Sequence, residues 1–307
     1  MAQRWIAPEF GGIEVLTLVD AEVPAPGPGE VTIDVRAVGV NPSDYKGLGG
    51  GWNPDPSQLP RPVGQELAGV VSAVGPGVAH VVVGDAVIAF KVDGAFATRL
   101  TVAAKNVFPK PENLDFPAAA NLLHVGVTAA ELLHLAGVGP DDTVLVHGAS
   151  GSVGVSAVQQ ARLVGARVIG TASAGSFDRV RAFGAEPVAY GDGLAGRVRA
   201  LGDVTVAIDA IGTEEALSVS LELVADRSRI ATLAPGKAAQ EAGVGVSAGG
   251  LPASVAFRMP ARARILELAS AGDLVVPVAR TFPFTEAPEA LRFVATGHPG
   301  GKVALVP

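Results

Sequence analysis

The stretch Thr143-Val-Leu-Val-His-Gly-Ala-Ser-Gly-Ser-Val-Gly154 decides how this chain folds. It reads as a short apolar strand, a glycine-rich turn and the first turn of a helix. Gly148, Gly151 and Gly154 stand at the spacing a dinucleotide-binding turn needs. One glycine permits the tight turn, one lets backbone N–H groups approach a pyrophosphate, and one lets helix and strand pack closely. The helix start would face the phosphates with free N–H groups and its positive dipole end.

Glycine loops also occur as plain turns, so the flanks carry the argument. Val144, Leu145 and Val146 make the β-rich run of a buried parallel strand. After the turn, Val153, Val155, Ala157, Val158, Ala161, Leu163 and Val164 supply an apolar helix face, and Gln159, Gln160 and Arg162 are expected to face water. Gly165 suits the helix end, and Ala166-Arg-Val-Ile-Gly170 reads as the next strand. This is one βαβ unit of roughly 30 residues, the context that confirms the fingerprint. Gly148, Ala149, Ser150, Gly151, Ser152, Val153 and Gly154 are therefore expected to hold a cofactor.

An NAD-preferring site places Asp or Glu about 20 residues beyond the glycines, on the ribose 2′-hydroxyl. Thr171-Ala-Ser173 stands there instead. A carboxylate would repel a 2′-phosphate, whereas a hydroxyl donates to one. Ser173 is the leading phosphate contact, with Arg179 and Tyr190 as further candidates, and the cofactor expected is NADPH. For Arg179 the competing reading is a solvated helix face.

At 307 residues the chain suggests two domains with ample core. It is 49% hydrophobic but only 5% aromatic, so its cores rest on Val, Ala and Leu. No apolar run stands out as a membrane span, and no signal-peptide layout opens the chain, so a cytoplasmic protein is expected. A formal charge of −7 argues against a nucleic-acid surface. The absence of cysteine removes disulfides, thiolate zinc sites and cysteine nucleophiles together.

Residues 1 to about 110 read as a barrel-like all-β module. Its expected strands include 31–38, 67–74, 86–90 and 95–100, separated by glycine turns. Residues 117–135 read as helical with an interruption near Gly126. Strands then alternate with helices at 143–147, 166–170, 187–189, 204–208 and 229–233, which predicts a doubly wound parallel sheet. A Gly/Ala-rich segment at 236–256 resists assignment. A helix over 261–271 and a strand over 302–306 follow.

Taken together these residues resemble the medium-chain dehydrogenase/reductase superfamily, and within it the zinc-free quinone oxidoreductases (zeta-crystallin-like). The carriers are Val40-Asn-Pro-Ser-Asp44, Gly64-Gln-Glu-Leu-Ala-Gly-Val-Val71, Gly84-Asp85, Gly94-Ala-Phe-Ala97, Gly126-Val-Thr-Ala129, the glycine loop, Phe183-Gly-Ala185, Asp209-Ala-Ile-Gly212 and Gly301-Lys-Val303. The resemblance implies an α/β chain with two parts. A discontinuous GroES-like β-barrel-type catalytic domain takes 1–116 and 257–307, and a Rossmann domain binding NADP(H) takes 117–256. It also implies a nicotinamide site between the domains, and a homodimer paired through the sheet edge near Gly243-Val-Gly-Val-Ser247. Thr128, Thr171, Asp209, Ile211 and Leu233 join the cofactor contacts on the same ground.

The departures from zinc alcohol dehydrogenases are informative. Asn41 stands where those relatives place a metal-binding Cys, Gln65 where they place a His, and a second Cys would fall near Val125. Glu66 alone cannot make a tetrahedral site. Without a Lewis acid, alcohol oxidation is disfavoured, and a small-molecule electrophile, a quinone or α,β-unsaturated carbonyl, becomes the expected acceptor. An enoyl thioester and a purely binding role stand as alternatives.

The catalytic candidates are Asn41, Tyr45 and His124. Asn41 suits a hydrogen bond to the acceptor carbonyl or the nicotinamide ribose, or equally a turn. Tyr45, with Lys46, suits proton donation or orientation of a carbonyl, or half-buried packing. His124 suits a proton shuttle, or a hydrogen-bonded core position. Asp44 reads as a cap, and Gln65 and Glu66 as supports of the loop. Trp52 is a candidate aromatic wall for a flat substrate.

Overall fold

The computed structural model describes residues 1–50, 54–297 and 299–307, so Trp52 and His298 lie outside the described residues. The chain forms two compact units, 1–124 with 276–307, and 125–275. The second unit therefore begins and ends later than the expected 117–256. Helix Pro252–Ala271 belongs to it because Ile265 fills the notch at Gly126, where a Cβ would lie 2.6 Å from Ile265 Cγ2. Arg258 of the same helix pairs with the buried Glu131.

The first unit is built around one long strand, Glu30–Val40. It pairs antiparallel with Lys302–Val306, Glu66–Val74 and Arg99–Ala103. Ala86–Phe90, Val107–Pro109 and Val278–Pro283 complete a seven-stranded sheet. A smaller sheet joins Thr17–Ala21, Ala2–Ala7 and Arg61–Pro62. Val31, Ile33 and Val35 alternate into one core, and after a register shift between Val35 and Ala37 the alternation resumes with Val38 and Val40. Register decides what meets at its end: Val303 lies opposite Val40, and Leu67 opposite Val38. Residues 41, 66 and 302 are thereby gathered together.

The strand expected over 95–100 begins later, at Arg99. Ahead of it, Ala95 and Phe96 donate irregular bonds to Gly64 and Val63, and both side chains are buried. Core filling there uses bent rather than laddered backbone.

The second unit holds a six-stranded, wholly parallel sheet. Its order is Glu186–Ala189, Arg167–Ala172, Thr143–His147, Val206–Asp209, Ile230–Thr232 and Gly245–Val246. This is the doubly wound order with the first strand central. Its C-terminal edge after Thr143–His147 is the switch point, where the glycine loop sits.

Three local expectations are corrected. The break in the 117–135 stretch falls between helices Phe116–Ala119 and Leu122–Leu135, not at Gly126, which lies inside the second helix because Ile265 needs the space. Gln159 and Gln160 are buried, not solvated. Gln159 bonds both the carbonyl and the N–H of Val275, and Gln160 donates to the Gly126 carbonyl, while Leu163 and Val164 take the exposed positions. The segment left unassigned carries helix Lys237–Ala242 and the edge strand Gly245–Val246, and the following helix starts at Pro252 despite Pro260 inside it. Residues Phe116–Leu135 are by length and composition apolar enough to span a bilayer, although Glu131 interrupts the uncharged run. That window is 78% buried within the protein, as suits a core helix.

Candidate functional site

In the second unit the glycine loop is shaped by backbone sterics. Gly148 has φ +71°, open to glycine at little cost. A Cβ at Gly154 would lie 2.1 Å from the Gly148 carbonyl oxygen, so helix Ser152–Leu163 can approach the strand only with glycine there. The loop is tied down by Thr171, whose hydroxyl accepts from Gly148 N–H at 3.1 Å and whose carbonyl accepts from Ala149 N–H at 3.0 Å. Gly151 caps the helix without a side-chain partner for the first-turn N–H groups. Orphan donors at a dipole's positive end suit an anion, so the cradle fits a pyrophosphate.

The other candidates surround the loop or follow the neighbouring strands. Ile211 packs beside the loop, with its Cβ 3.2 Å from where a Cβ on Gly148 would stand, and its side chain is exposed. Leu233 is partly buried against the neighbouring core. Ser173 and Tyr190 are both exposed and follow paired residues, Ala172 and Ala189, at the same end of adjacent strands. Ser173 shares a 3.2 Å hydrogen bond with Ser176. Arg179 is half-buried, with its Nε enclosed and unpartnered, and burial lowers its pKa. Ser150, Ser152 and Val153 are half-buried at the helix start, whereas Ala149 and Thr128 are buried.

Asp209 ends strand Val206–Asp209. It is buried, and its carboxylate accepts from Ile211 N–H, Gly212 N–H and the Thr232 hydroxyl, at 3.0, 2.8 and 2.8 Å. Behind it, the buried His147 bonds Ser220 Oγ at 3.1 Å, and desolvation pushes its pKa well down, opposed in part by Asp209. Sequence reasoning passed over His147, whose signal is an ionisable residue closing an apolar strand.

In the first unit a buried polar cluster forms at the end of strand Glu30–Val40. Pro42 opens helix Pro42–Lys46, and Asp44 Oδ2 accepts from the Asn41 N–H at 2.8 Å, the cap expected of it. Asn41 Nδ2 donates to Glu66 Oε1 at 2.8 Å, and Glu66 Oε2 accepts from the His124 N–H at 3.2 Å. Asn41 and His124 are therefore joined through Glu66. Lys302, unmarked by the sequence reading except as part of a family motif, donates to Asn41 Oδ1. Its signal is a lysine in an otherwise apolar closing strand.

Desolvation pushes Asp44 up to about 7, aided by Glu66 and opposed by its bond from Asn41 and by Lys302. Tyr45 is half-buried and packs against the core of this unit, and the His124 ring meets Phe90 edge-on at 6.0 Å. Asn41 itself is 1% exposed, with both amide atoms engaged by Glu66 and Lys302. Among the described residues no group of three or more His, Asp or Glu is arranged to hold a metal ion.

Residues 27–112 match the model of the alcohol dehydrogenase GroES-like domain, and 183–305 match that of a zinc-binding dehydrogenase. Quinone oxidoreductase of Rattus norvegicus is 42% identical over 53% of this chain and 50% of its own length. Spectinabilin polyketide synthase system protein NorB of Streptomyces orinoci is 34% identical over 99% of this chain but 14% of its own length. The chain thus spans half or less of these curated relatives. A mycobacterial protein solved in complex with NADPH is 30% identical with a TM-score of 0.85, covering 100% of both chains.

Proposed function

Because the chain belongs to the medium-chain dehydrogenase/reductase superfamily, in its quinone oxidoreductase-like family, we propose that it reduces a quinone or an α,β-unsaturated carbonyl with NADPH. The observation that carries this reading is the uncapped N-terminus of helix Ser152–Leu163 above a loop that only glycine can form. When bound, the reduced nicotinamide supplies the hydride; the protein supplies binding and orientation.

In this reading the first-turn N–H groups of 152–154 hold the pyrophosphate. Ser173 donates to the 2′-phosphate, supported by Arg179 and Tyr190, and no carboxylate follows the strand to repel it. Ile211 and Leu233 offer apolar surface, and Asp209 fixes the turn that carries Ile211. Tyr45 orients the acceptor oxygen and holds the proton it needs at its hydroxyl, with Asn41 anchoring the helix start behind it. His124 is the second proton-holding group. The edge strand Gly245–Val246 is the surface for a second copy of the chain.

The test is a steady-state screen of NADPH and NADH against quinones, enals and enoyl thioesters. NADPH oxidation with an ortho-quinone or enone is expected. The likeness over 99% of this chain to a segment of a polyketide synthase system protein, and 26% identity at a TM-score of 0.86 to CurK enoyl reductase, support an enoyl thioester as the second reading, and preference for that acceptor in the same screen would select it. Tight NADPH binding with no turnover on any acceptor would reject both in favour of a binding role.

A further inference from the structure

Three oxygen atoms converge on one buried ammonium. Lys302 Nζ lies 2.5 Å from Asn41 Oδ1, and 3.4 Å from both Glu66 Oε1 and the Val40 carbonyl oxygen. Lys302 is 4% exposed and Glu66 0%, so solvent does little to neutralise either charge. A buried carboxylate without a positive partner is strongly disfavoured, and here the partner comes from the far end of the chain. Asn41 reads both charges at once. Its carbonyl oxygen faces the ammonium and its N–H group faces the carboxylate, so flipping the amide would oppose like to like.

One carboxylate, one amide oxygen and one main-chain carbonyl are acceptors for the three N–H donors of a single ammonium group. Lys302 is not an incidental ion pair, because its three partners come from three places: the end of strand Glu30–Val40, the cap of helix Pro42–Lys46, and the start of strand Glu66–Val74. Through Glu66 Oε2 the same group reaches the His124 N–H in the first turn of helix Leu122–Leu135.

We propose that Asn41, Glu66 and the Val40 carbonyl form an alkylammonium site that the chain fills with its own Lys302 side chain. This tethered cation holds helix Pro42–Lys46, and with it Tyr45, in place. Lys302 is a positioning residue, and the ligand chemistry of its site is that of an alkylammonium ion. The inference stands apart from the reductase reading, and its test measures no turnover.

The experiment is thermal unfolding of the full chain. Lys302→Ala should lower the first transition by roughly 10 °C, as expected when one partner of a buried ion pair is removed. Propylammonium chloride at tens of millimolar should restore at least half of that loss in Lys302→Ala. Equal concentrations of 1-propanol or sodium chloride should not. Unchanged unfolding of Lys302→Ala, no rescue by propylammonium, or equal rescue by propanol would overturn the proposal. If Lys302→Ala does not fold, Lys302→Met is compared with Glu66→Gln/Lys302→Met. Recovery of a folded protein in the double variant supports a charge-filled site, and no gain over Lys302→Met overturns it.

Discussion

The glycine loop of the second unit and the polar cluster of the first are built by opposite means. The loop is local: residues 148–154 and the neighbouring Thr171 shape it with backbone, and side chains mostly need to stay small. The cluster is distant: Asn41, Glu66, His124 and Lys302 meet only because sheet register brings 302 back to 41 across 261 positions. The fold of a backbone-built site fails first on volume. A side-chain-built site tolerates little change of charge. The two also respond to acid in opposite directions.

The largest expected effect separates them by pH. Asp44 has a folded value near 7 against an ordinary 3.8, so its favourable contribution is full below 3.8 and is lost as pH rises through about 7. His147 is depressed, so its contribution is full above 6.5 and is lost as pH falls below that value. Hydrogen exchange read by segment should show the first unit gaining stability on acidification while the second loses it. Asp44→Asn should stabilise the first unit by up to roughly 4 kcal/mol above pH 7, an advantage that vanishes near the ordinary aspartate value. Parallel pH profiles in the two units would break the comparison.

Volume should act on the loop alone. Gly154→Ala places a methyl group against the Gly148 carbonyl and should destabilise the second unit by about 3 kcal/mol, while the first unit keeps its exchange rates. Urea unfolding followed by segment exchange measures both. Tyr45→Phe should act in the reverse sense. It should lower acceptor kcat/KM by roughly 100-fold and leave NADPH affinity unchanged. A loss of nucleotide binding in that variant would place Tyr45 in a different role. The smallest effect is on selectivity. Ser173→Asp should weaken NADPH by roughly tenfold relative to NADH, since a carboxylate would face the 2′-phosphate. Equal affinities before and after would remove Ser173 from that contact.

The same contrast explains what could be read without coordinates. The strands Thr143–His147, Ala86–Phe90 and Lys302–Val306 stand as expected because each is a short apolar run between turn residues. The glycine loop was legible because its chemistry is written in consecutive residues. Gln159 and Gln160 were misread because periodicity sees polarity, not the Val275 and Gly126 backbone groups that satisfy those amides in the core. The helix expected over 261–271 extends back to Pro252, with Pro260 accommodated inside it. Lys302 was missed as a site residue because nothing near it in sequence names Asn41 or Glu66. Tertiary register alone supplies those partners.

The most direct test of the central claim is calorimetric titration of the purified chain with NADPH, repeated with Gly151→Glu, which places a carboxylate at the cap of helix Ser152–Leu163. The account predicts one nucleotide per chain in the parent and roughly 100-fold or greater weakening in the variant. No heat of binding in the parent, or equal affinity in both proteins, would contradict it.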